Sequence, residues 1–182
     1  MLNLFGYSGG STLACAAGGA SVVHLDGAKA AVAQARRNAH LSGLGEADVR
    51  WLCDDTMSYL RRAVRRGEVF DGVVADPPAF GRGGQGKKRS EWRIERDLPE
   101  MCTLLSQLLS PSPALLLLSC HDARWPAPRL ASHLAQCLPP PQPGEGGARG
   151  GAAFTTGTMS LEAHAPGGKD LAMGCFVRWS PP

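Results

Sequence analysis

Short apolar runs alternate along the chain with segments whose apolar residues recur at helical spacing. The runs predict strands at Leu2–Tyr7, Ser21–Asp26, Val49–Asp55, Phe70–Asp76 and Ala114–Cys120. The periodic segments predict helices over Thr12–Gly18, Ala28–Ala39, Met57–Arg66, Asp97–Leu108 and Pro126–Leu138. Strands that alternate with helices in this way predict an α/β domain with a mostly parallel sheet.

Two of these helices carry recognisable end signals. Asp97 followed by Glu100 is a capping-box signature, so we expect a helix to begin at Asp97. Its apolar positions would share one face: Leu98, Met101, Cys102, Leu105 and Leu108. Gly43 is placed to cap the C terminus of the alanine-rich helix that follows the second strand.

The last quarter of the chain has a different pattern. The low-complexity stretch "PPPQPGEGGARGG", Pro139–Gly151, predicts a flexible connection. After it, Gly157–Ala163 and Leu171–Trp179 predict an antiparallel hairpin around "PGGK". We therefore expect one domain over residues 1–182, with flexible loops near 81–94 and 139–152, whose parallel sheet is completed by an antiparallel pair.

Composition excludes several classes of protein. The chain has 182 residues, 43% of them hydrophobic, which is enough for a sizeable core. The longest apolar run, "ALLLLS", is far shorter than the ~18 residues of a membrane span. No secretory signal is recognisable, and the six cysteines show no paired spacing, so we predict neither a disulfide framework nor a zinc site. A reducing compartment, the cytoplasm, is the expected location.

The distribution of charge is more informative than the net charge of +3. Six Lys or Arg residues and two Glu residues lie between Arg82 and Arg96, interleaved with glycines. Basic runs are usually solvated surface, but this one directly follows the motif "ADPPAF". Arg82, Lys87 and Lys88 are therefore candidate substrate-binding residues. Trp92 in the same segment either stacks on the substrate or anchors the segment to the core.

Acidic residues follow three consecutive predicted strands, at Asp26, Asp54–Asp55 and Asp76. Ligands of open α/β sheets bind outside the carboxyl ends of the strands, so we expect these carboxylates to share a cleft. Asp26 lies 20 positions after Gly6 of the turn "GYSGGS", where an acid typically accepts hydrogen bonds from ribose hydroxyls. Without a ligand, "GYSGGS" would be an ordinary strand-to-helix turn and Asp26 a helix cap.

Nicotinamide cofactors and S-adenosylmethionine both use such a layout, and the next acidic pair helps to decide between them. A carboxylate after the third strand can accept the amine of adenine, although one of Asp54 and Asp55 is also placed to cap the helix at Met57. The terminal antiparallel hairpin fits a methyltransferase sheet better than an all-parallel dinucleotide-binding sheet. The pattern therefore favours S-adenosylmethionine.

The motif "ADPPAF" carries the strongest catalytic signal. Each proline restricts its own φ and pushes the preceding residue out of the helical region, so Asp76 is held extended by Pro77 and Pro78. Phe80 can stack on a flat substrate, as bases splayed from RNA stack on aromatic rings. The alternative is a rigid turn with a buried Phe80.

The ordered set of motifs resembles S-adenosylmethionine-dependent methyltransferases of the ribosomal RNA large-subunit methyltransferase I type. The resemblance covers most of Leu2–Leu118 and the last strand, and it rests on "LNLFGYSGGSTLACAAGGASVVHLDGAKAAVAQARRNA", "VRWLCDDTMSYLRRAVRRGEVFDGVVADPPAFGRG", "EWRIERDLPEMCTLLSQLL" and "CFVRWS". It implies a class I methyltransferase fold with a Rossmann-like sheet, S-adenosylmethionine as cofactor, and ribosomal RNA as the substrate class.

The resemblance also implies roles for individual residues. Tyr7 and Gly9 would line the methionine end of the cofactor, and Asp26 would hold the ribose. Asp55 would contact the adenine edge, with Asp54 the second candidate there. Asp76, Pro77 and Pro78 would form the reacting face.

Cys120, in "LSCHDAR", is a candidate nucleophile. Methylation of cytosine at C5 needs a thiolate that attacks C6, and Cys120 is the cysteine at the right strand end. The alternative is a small core residue, as is usual for a cysteine in an apolar strand. The neighbouring His121 either lowers the thiol pKa or is a surface residue.

Relatives of this type carry an upstream segment and often an RNA-binding domain, so the resemblance implies that this chain lacks the N-terminal part of the family. If a targeting segment belongs upstream, a mitochondrion or chloroplast becomes the alternative location. The alternative functions are methylation of a protein amide or small molecule, and a non-catalytic remnant that binds the cofactor.

Overall fold

The computed structural model describes residues 1–83, 90–138, 153–164 and 168–180. The strands in these ranges are β1 (Leu2–Leu4), β2 (Val22–Asp26), β3 (Val49–Cys53), β4 (Gly72–Ala75), β5 (Phe80–Gly83), β6 (Ser90–Arg93), β7 (Leu115–Cys120), β8 (Ala153–Leu161) and β9 (Leu171–Ser180). The helices are α1 (Gly10–Ala17), α2 (Lys29–Leu41), α3 (Thr56–Arg65), α4 (Ile94–Leu108) and α5 (Ala127–Cys137). Among the described helices, none is both long and apolar enough to cross a membrane.

The main sheet has seven strands in the order β3-β2-β1-β4-β7-β9-β8. The first five strands in this order pair in parallel, whereas β9 runs antiparallel to both β7 and β8. The chain moves outward from β1 to β3 and then returns to place β4 on the other side of β1. The predicted fold class is confirmed, and strand order reverses between β1 and β4, where such sheets bind ligands.

The buried apolar residues follow the predicted helical and strand patterns. Leu2 and Leu4 of β1 and Leu116 and Leu118 of β7 have no exposed surface. The apolar face predicted for α4 is fully buried as well, namely Leu98, Met101, Cys102, Leu105 and Leu108. Burial of this kind contributes roughly 1.5–3 kcal/mol per large apolar side chain, so these strands form a rigid base for the loops at their ends.

The predicted cap of α2 is confirmed, and the predicted start of α4 is wrong. Gly43 has φ 71° and closes a Schellman motif, in which Leu44 N–H donates to the carbonyl of Ala39 at 2.8 Å. Helix α4 begins at Ile94 rather than Asp97. The Asp97 carboxylate reaches back to accept the N–H of Arg93 at 2.8 Å, so it stabilises the first turn from inside the helix.

The segment predicted as a flexible loop near 81–94 is partly regular. β5 and β6 form a separate antiparallel pair in which Arg82 opposes Glu91 and Gly81 opposes Trp92. A polar, glycine-rich stretch gives little apolar periodicity, which is why the sequence pattern did not predict this hairpin. The candidates Lys87 and Lys88, and the predicted connection at 139–152, lie outside the described residues.

Candidate active site

A cavity of about 340 Å³ opens at the carboxyl ends of β1, β2, β3 and β4. Three of the acids predicted from the strand ends, Asp26, Asp55 and Asp76, line it together. The full lining is Phe5, Tyr7, Asp26, Gly27, Ala28, Asp55, Thr56, Asp76, Pro78, Gly81 and Trp92. The shared cleft expected from the sequence is therefore present. Phe5, Gly27, Ala28 and Thr56 were not identified, because they belong to no recognisable motif.

The turn after β1 has a strained backbone at the edge of the cavity. Phe5 and Tyr7 have φ angles of 56° and 44°, in the left-handed region that side chains rarely adopt. Gly9, with φ 93°, precedes α1, and a Cβ there would lie 3.0 Å from the Cβ of Ala35. Gly9 is not among the lining residues, so its observed role is to let the turn pack against α2. Strain of this kind is typical of ligand-binding loops.

A buried polar chain supports this turn from below. The side-chain amide of Asn3 donates to Thr12 Oγ1 at 2.7 Å, and the Thr12 hydroxyl lies 2.7 Å from His24 Nδ1. Burial lowers the pKa of His24, against a smaller opposing effect of Asp26. A Cβ at Gly6 would lie 2.4 Å from the His24 ring, so only glycine fits there.

Asp26 connects the turn after β1 to the start of α2. Its Oδ2 accepts the N–H of Tyr7 at 2.9 Å, and its Oδ1 accepts the N–H of Ala28 at 2.8 Å. An ionised carboxylate offers about four lone-pair sites, so each oxygen can accept a further donor. The geometry is suitable for a pair of ribose hydroxyls.

The two acids after β3 have different surroundings. Asp55 caps α3 by accepting the N–H of Ser58 at Oδ1, 2.8 Å away, and it lines the cavity. Asp54 accepts the N–H of Asp55 and pairs with the guanidinium of Arg62, and it is not among the lining residues. Asp54 is therefore not seen at the cavity, and its assignment as a cofactor contact stays a prediction.

Asp76 lies one residue beyond β4 and is exposed. Its Oδ1 accepts hydrogen bonds from the hydroxyl of Ser119 and from His121 Nε2, the latter at 2.8 Å. Pro77 is buried behind it, and Pro78 lines the cavity. The rigid ledge predicted from "ADPPAF" thus presents a carboxylate at the cavity.

Trp92 anchors the β5–β6 hairpin to this ledge. Its side chain is only 6% exposed, and its Nε1–H donates to the carbonyl of Pro78 at 2.6 Å. The ring also packs edge-on against Phe5, with centroids 5.0 Å apart. Of the two roles predicted for Trp92, the structure supports the anchor, and the same ring forms one wall of the cavity.

Phe80 lies at the start of β5, outside the lining of this cavity. It is 49% exposed, and the guanidinium of Arg93 lies 6.0 Å from its ring centroid. The alternative of a buried Phe80 is therefore excluded. An exposed aromatic ring beside an arginine is suited to stack on a base.

Cys120 is not brought to the cavity. It is 1% exposed, on the same buried face of β7 as Leu116 and Leu118. Burial raises the pKa of its thiol, and a contact with the backbone of Asp122 opposes this effect only in part. A buried thiol with a raised pKa is poorly suited to act as a thiolate nucleophile.

The cavity fits an adenosyl cofactor in size and in chemistry. Its volume lies within the ~300–1,000 Å³ typical of small-molecule sites. Asp26 and Asp55 supply carboxylates that can accept hydrogen bonds from hydroxyl and amine groups, and the Phe5 and Trp92 rings supply apolar walls.

Comparisons with known proteins agree with this geometry. A family model described as S-adenosylmethionine-dependent methyltransferase matches residues 1–137. The chain is 36% identical over 121 residues to ribosomal RNA large subunit methyltransferase I of Aeromonas salmonicida, and 34% identical over 121 residues to the protein of the same name from Klebsiella pneumoniae. Each match covers 66% of this chain.

A solved structure is similar over the whole chain. The SAM-dependent methyltransferase from Agrobacterium tumefaciens superimposes with a TM-score of 0.85 at 33% identity and covers 100% of this chain. The chain covers 55% of that protein, and 30% and 29% of the two curated relatives. The similarity therefore concerns one part of each relative.

Proposed function

The chain belongs to the family of S-adenosylmethionine-dependent methyltransferases, and we propose that it methylates a base of ribosomal RNA. The observation that carries this proposal is the cavity in which Asp26, Asp55 and Asp76 meet at the carboxyl ends of neighbouring strands. The relatives named ribosomal RNA large subunit methyltransferase I support the substrate class. Such a substrate implies the cytoplasm, or an organelle with its own ribosomes.

In this proposal each acid has a separate task. Asp26 holds the ribose of the cofactor and Asp55 its adenine, while Tyr7 lies beside the methionine end. S-Adenosylmethionine supplies an electrophilic methyl group on a sulfonium. Asp76, supported by Pro77 and Pro78, accepts a hydrogen bond from the base and holds the reacting atom in line. Such positioning carries most of the rate in a direct displacement.

The RNA would approach from the side of the β5–β6 hairpin. Phe80 offers an exposed ring for stacking, and the neighbouring Arg93 offers a cation. Arg82, Lys87 and Lys88 belong to the same basic segment, and we propose phosphate contacts for them.

The proposal is tested with purified protein, S-adenosylmethionine carrying a labelled methyl group, and ribosomal RNA from cells that lack this protein. We expect label in the RNA, and mass spectrometry of the digested nucleosides should identify one methylated base. Binding of the RNA should weaken steeply with added salt, because phosphate contacts release counterions. Label in protein or small molecules instead of RNA would contradict the proposal. Heat of cofactor binding without any transfer would indicate a non-catalytic remnant.

Replacement of Cys120 by serine should leave methyl transfer within about threefold of the wild type, since the thiol lies in the core and does not reach the base. The measurement is kcat with ribosomal RNA, accompanied by the melting temperature. Cys102→Ser, at a cysteine buried in α4, is the matched control for the cost of a buried hydroxyl. Loss of turnover in Cys120→Ser at unchanged melting temperature and cofactor affinity would instead support a thiolate mechanism and a 5-methylcytosine product.

A further inference from the structure

The residues on either side of Cys120 contact the carboxylate at the cavity. Side chains alternate along a strand, so Ser119 and His121 lie on the face opposite to Cys120. Both donate to the same oxygen, Oδ1 of Asp76. Among the described residues, none is seen to donate to Oδ2. The carboxylate is therefore held at one oxygen and keeps the other available for a substrate donor.

A second contact of His121 links this carboxylate to β9. Nδ1 of His121 lies 2.5 Å from the carbonyl oxygen of Met173. A carbonyl oxygen can only accept a hydrogen bond, so Nδ1 carries a proton. An ionised Asp76 also only accepts, so Nε2 carries a proton as well. Both contacts are satisfied together only by the charged imidazolium.

The backbone of β9 is shaped to make this contact. Met173 is skipped in the pairing with β8, since Met159 opposes Gly174 and Ser160 opposes Ala172. β-Bulges of this kind change the local direction of the chain and are common next to active sites. Gly174, with φ 115°, allows the close approach, because a Cβ there would lie 2.2 Å from the carbonyl oxygen of Cys120.

The charges around His121 favour the imidazolium. Burial lowers its pKa, but the hydrogen bonds to Asp76 and to the Met173 carbonyl, together with the charge of Asp76, outweigh burial and raise the pKa above its ordinary value of 6.5. Asp76 approaches from the end of β4 and Met173 from β9. Within the described part of the chain, Asp76 is the charged group that acts on this ring.

We propose that Ser119 and His121 are positioning residues that hold the Asp76 carboxylate for methyl transfer, and that His121 makes this support dependent on pH. The inference rests on the proposed function, in which Asp76 faces the methyl acceptor. Because the pKa of His121 is raised in the folded protein, both ring N–H donors are present below about pH 6.5. As pH rises through the raised pKa, the ring keeps a single N–H for its two acceptors, so the support of Asp76 weakens while Ser119 still donates.

The experiment compares the pH dependence of kcat and KM for methylation of ribosomal RNA in wild type, His121→Gln, His121→Ala and Ser119→Ala. The wild-type kcat should fall as pH rises above the His121 pKa. His121→Gln keeps a donor for Asp76 but does not titrate, so its profile should lose this decline. His121→Ala and Ser119→Ala should each lower kcat about tenfold with little change in KM, as expected for loss of one hydrogen bond to a charged group. His133→Gln on α5 is the control and should match the wild type.

A second measurement separates this inference from the proposed function. NMR titration of the histidine ring protons should give a lower His121 pKa in Asp76→Asn than in the wild type, whatever the substrate. A wild-type protein that methylates no ribosomal RNA would contradict the proposed function. The titration would still test the ion pair between His121 and Asp76. An unchanged His121 pKa in Asp76→Asn, or a wild-type pH profile in His121→Gln, would overturn the inference.

Discussion

Replacement of Asp76 by asparagine is expected to lower kcat for RNA methylation by about 100-fold, comparable to the loss of one preorganised hydrogen bond at a reacting group. Asparagine keeps the shape of the side chain and can still accept from Ser119 and His121. Its amide nitrogen, however, replaces a carboxylate oxygen with a donor, which repels a donor on the base. The dissociation constant of S-adenosylmethionine should change by less than about threefold, so the effect belongs to kcat.

The matched control is Asp71→Asn, one residue before β4 at the opposite end of the same strand. It removes the same charge and should leave kcat unchanged. Fixed-time assays with labelled S-adenosylmethionine give kcat, and calorimetry gives the cofactor affinity. An Asp76→Asn protein with wild-type kcat would show that Asp76 does not act on the reaction.

Replacement of Asp26 by alanine is expected to weaken S-adenosylmethionine binding by about 1–3 kcal/mol, the cost of losing hydrogen bonds to a buried or charged acceptor. This corresponds to a dissociation constant raised about 5- to 150-fold. The physical reason is the loss of both acceptor oxygens that we propose for the ribose hydroxyls. Asp26→Asn, which keeps one oxygen, should fall between alanine and the wild type.

Asp26 also accepts the N–H groups of Tyr7 and Ala28, so the alanine variant needs a test of folding. The melting temperature without ligand measures the effect on the turn, and titration calorimetry measures the effect on the cofactor. The control is Asp48→Ala. Asp48 is an exposed acid just before β3, at the amino end of that strand, so the variant should bind S-adenosylmethionine like the wild type. Equal affinity of Asp26→Ala and wild type would exclude the ribose contact.

Several features of the site follow from local pattern. The acids after β2, β3 and β4 stand where apolar runs end, and parallel strands bring their carboxyl ends to one edge. The cavity shared by Asp26, Asp55 and Asp76 could therefore be predicted without coordinates. The prolines after Asp76 act through the φ of their own residues, which is also a local effect.

Other features depend on contacts between distant segments. Asp54 and Asp55 are adjacent in sequence, and only the position of Arg62 on α3 shows which acid remains at the cavity. The β5–β6 hairpin has no apolar periodicity, and it is held by the bond from Trp92 to the Pro78 carbonyl. Such contacts leave no regular spacing in the sequence.

The residues around Cys120 show most clearly which features are local and which depend on contacts between distant segments. The α/β sheet with an acid-lined carboxyl edge could be predicted from the sequence alone, because strand and helix periods and the effects of the prolines arise between neighbouring residues. The sequence also indicated a core position for Cys120 as the alternative to a nucleophile, because a cysteine in an apolar strand usually packs inward. The contact of Ser119 and His121 with Asp76, in contrast, could not be predicted, because it depends on how β7 packs between β4 and β9 and on the bulge that brings the Met173 carbonyl to His121.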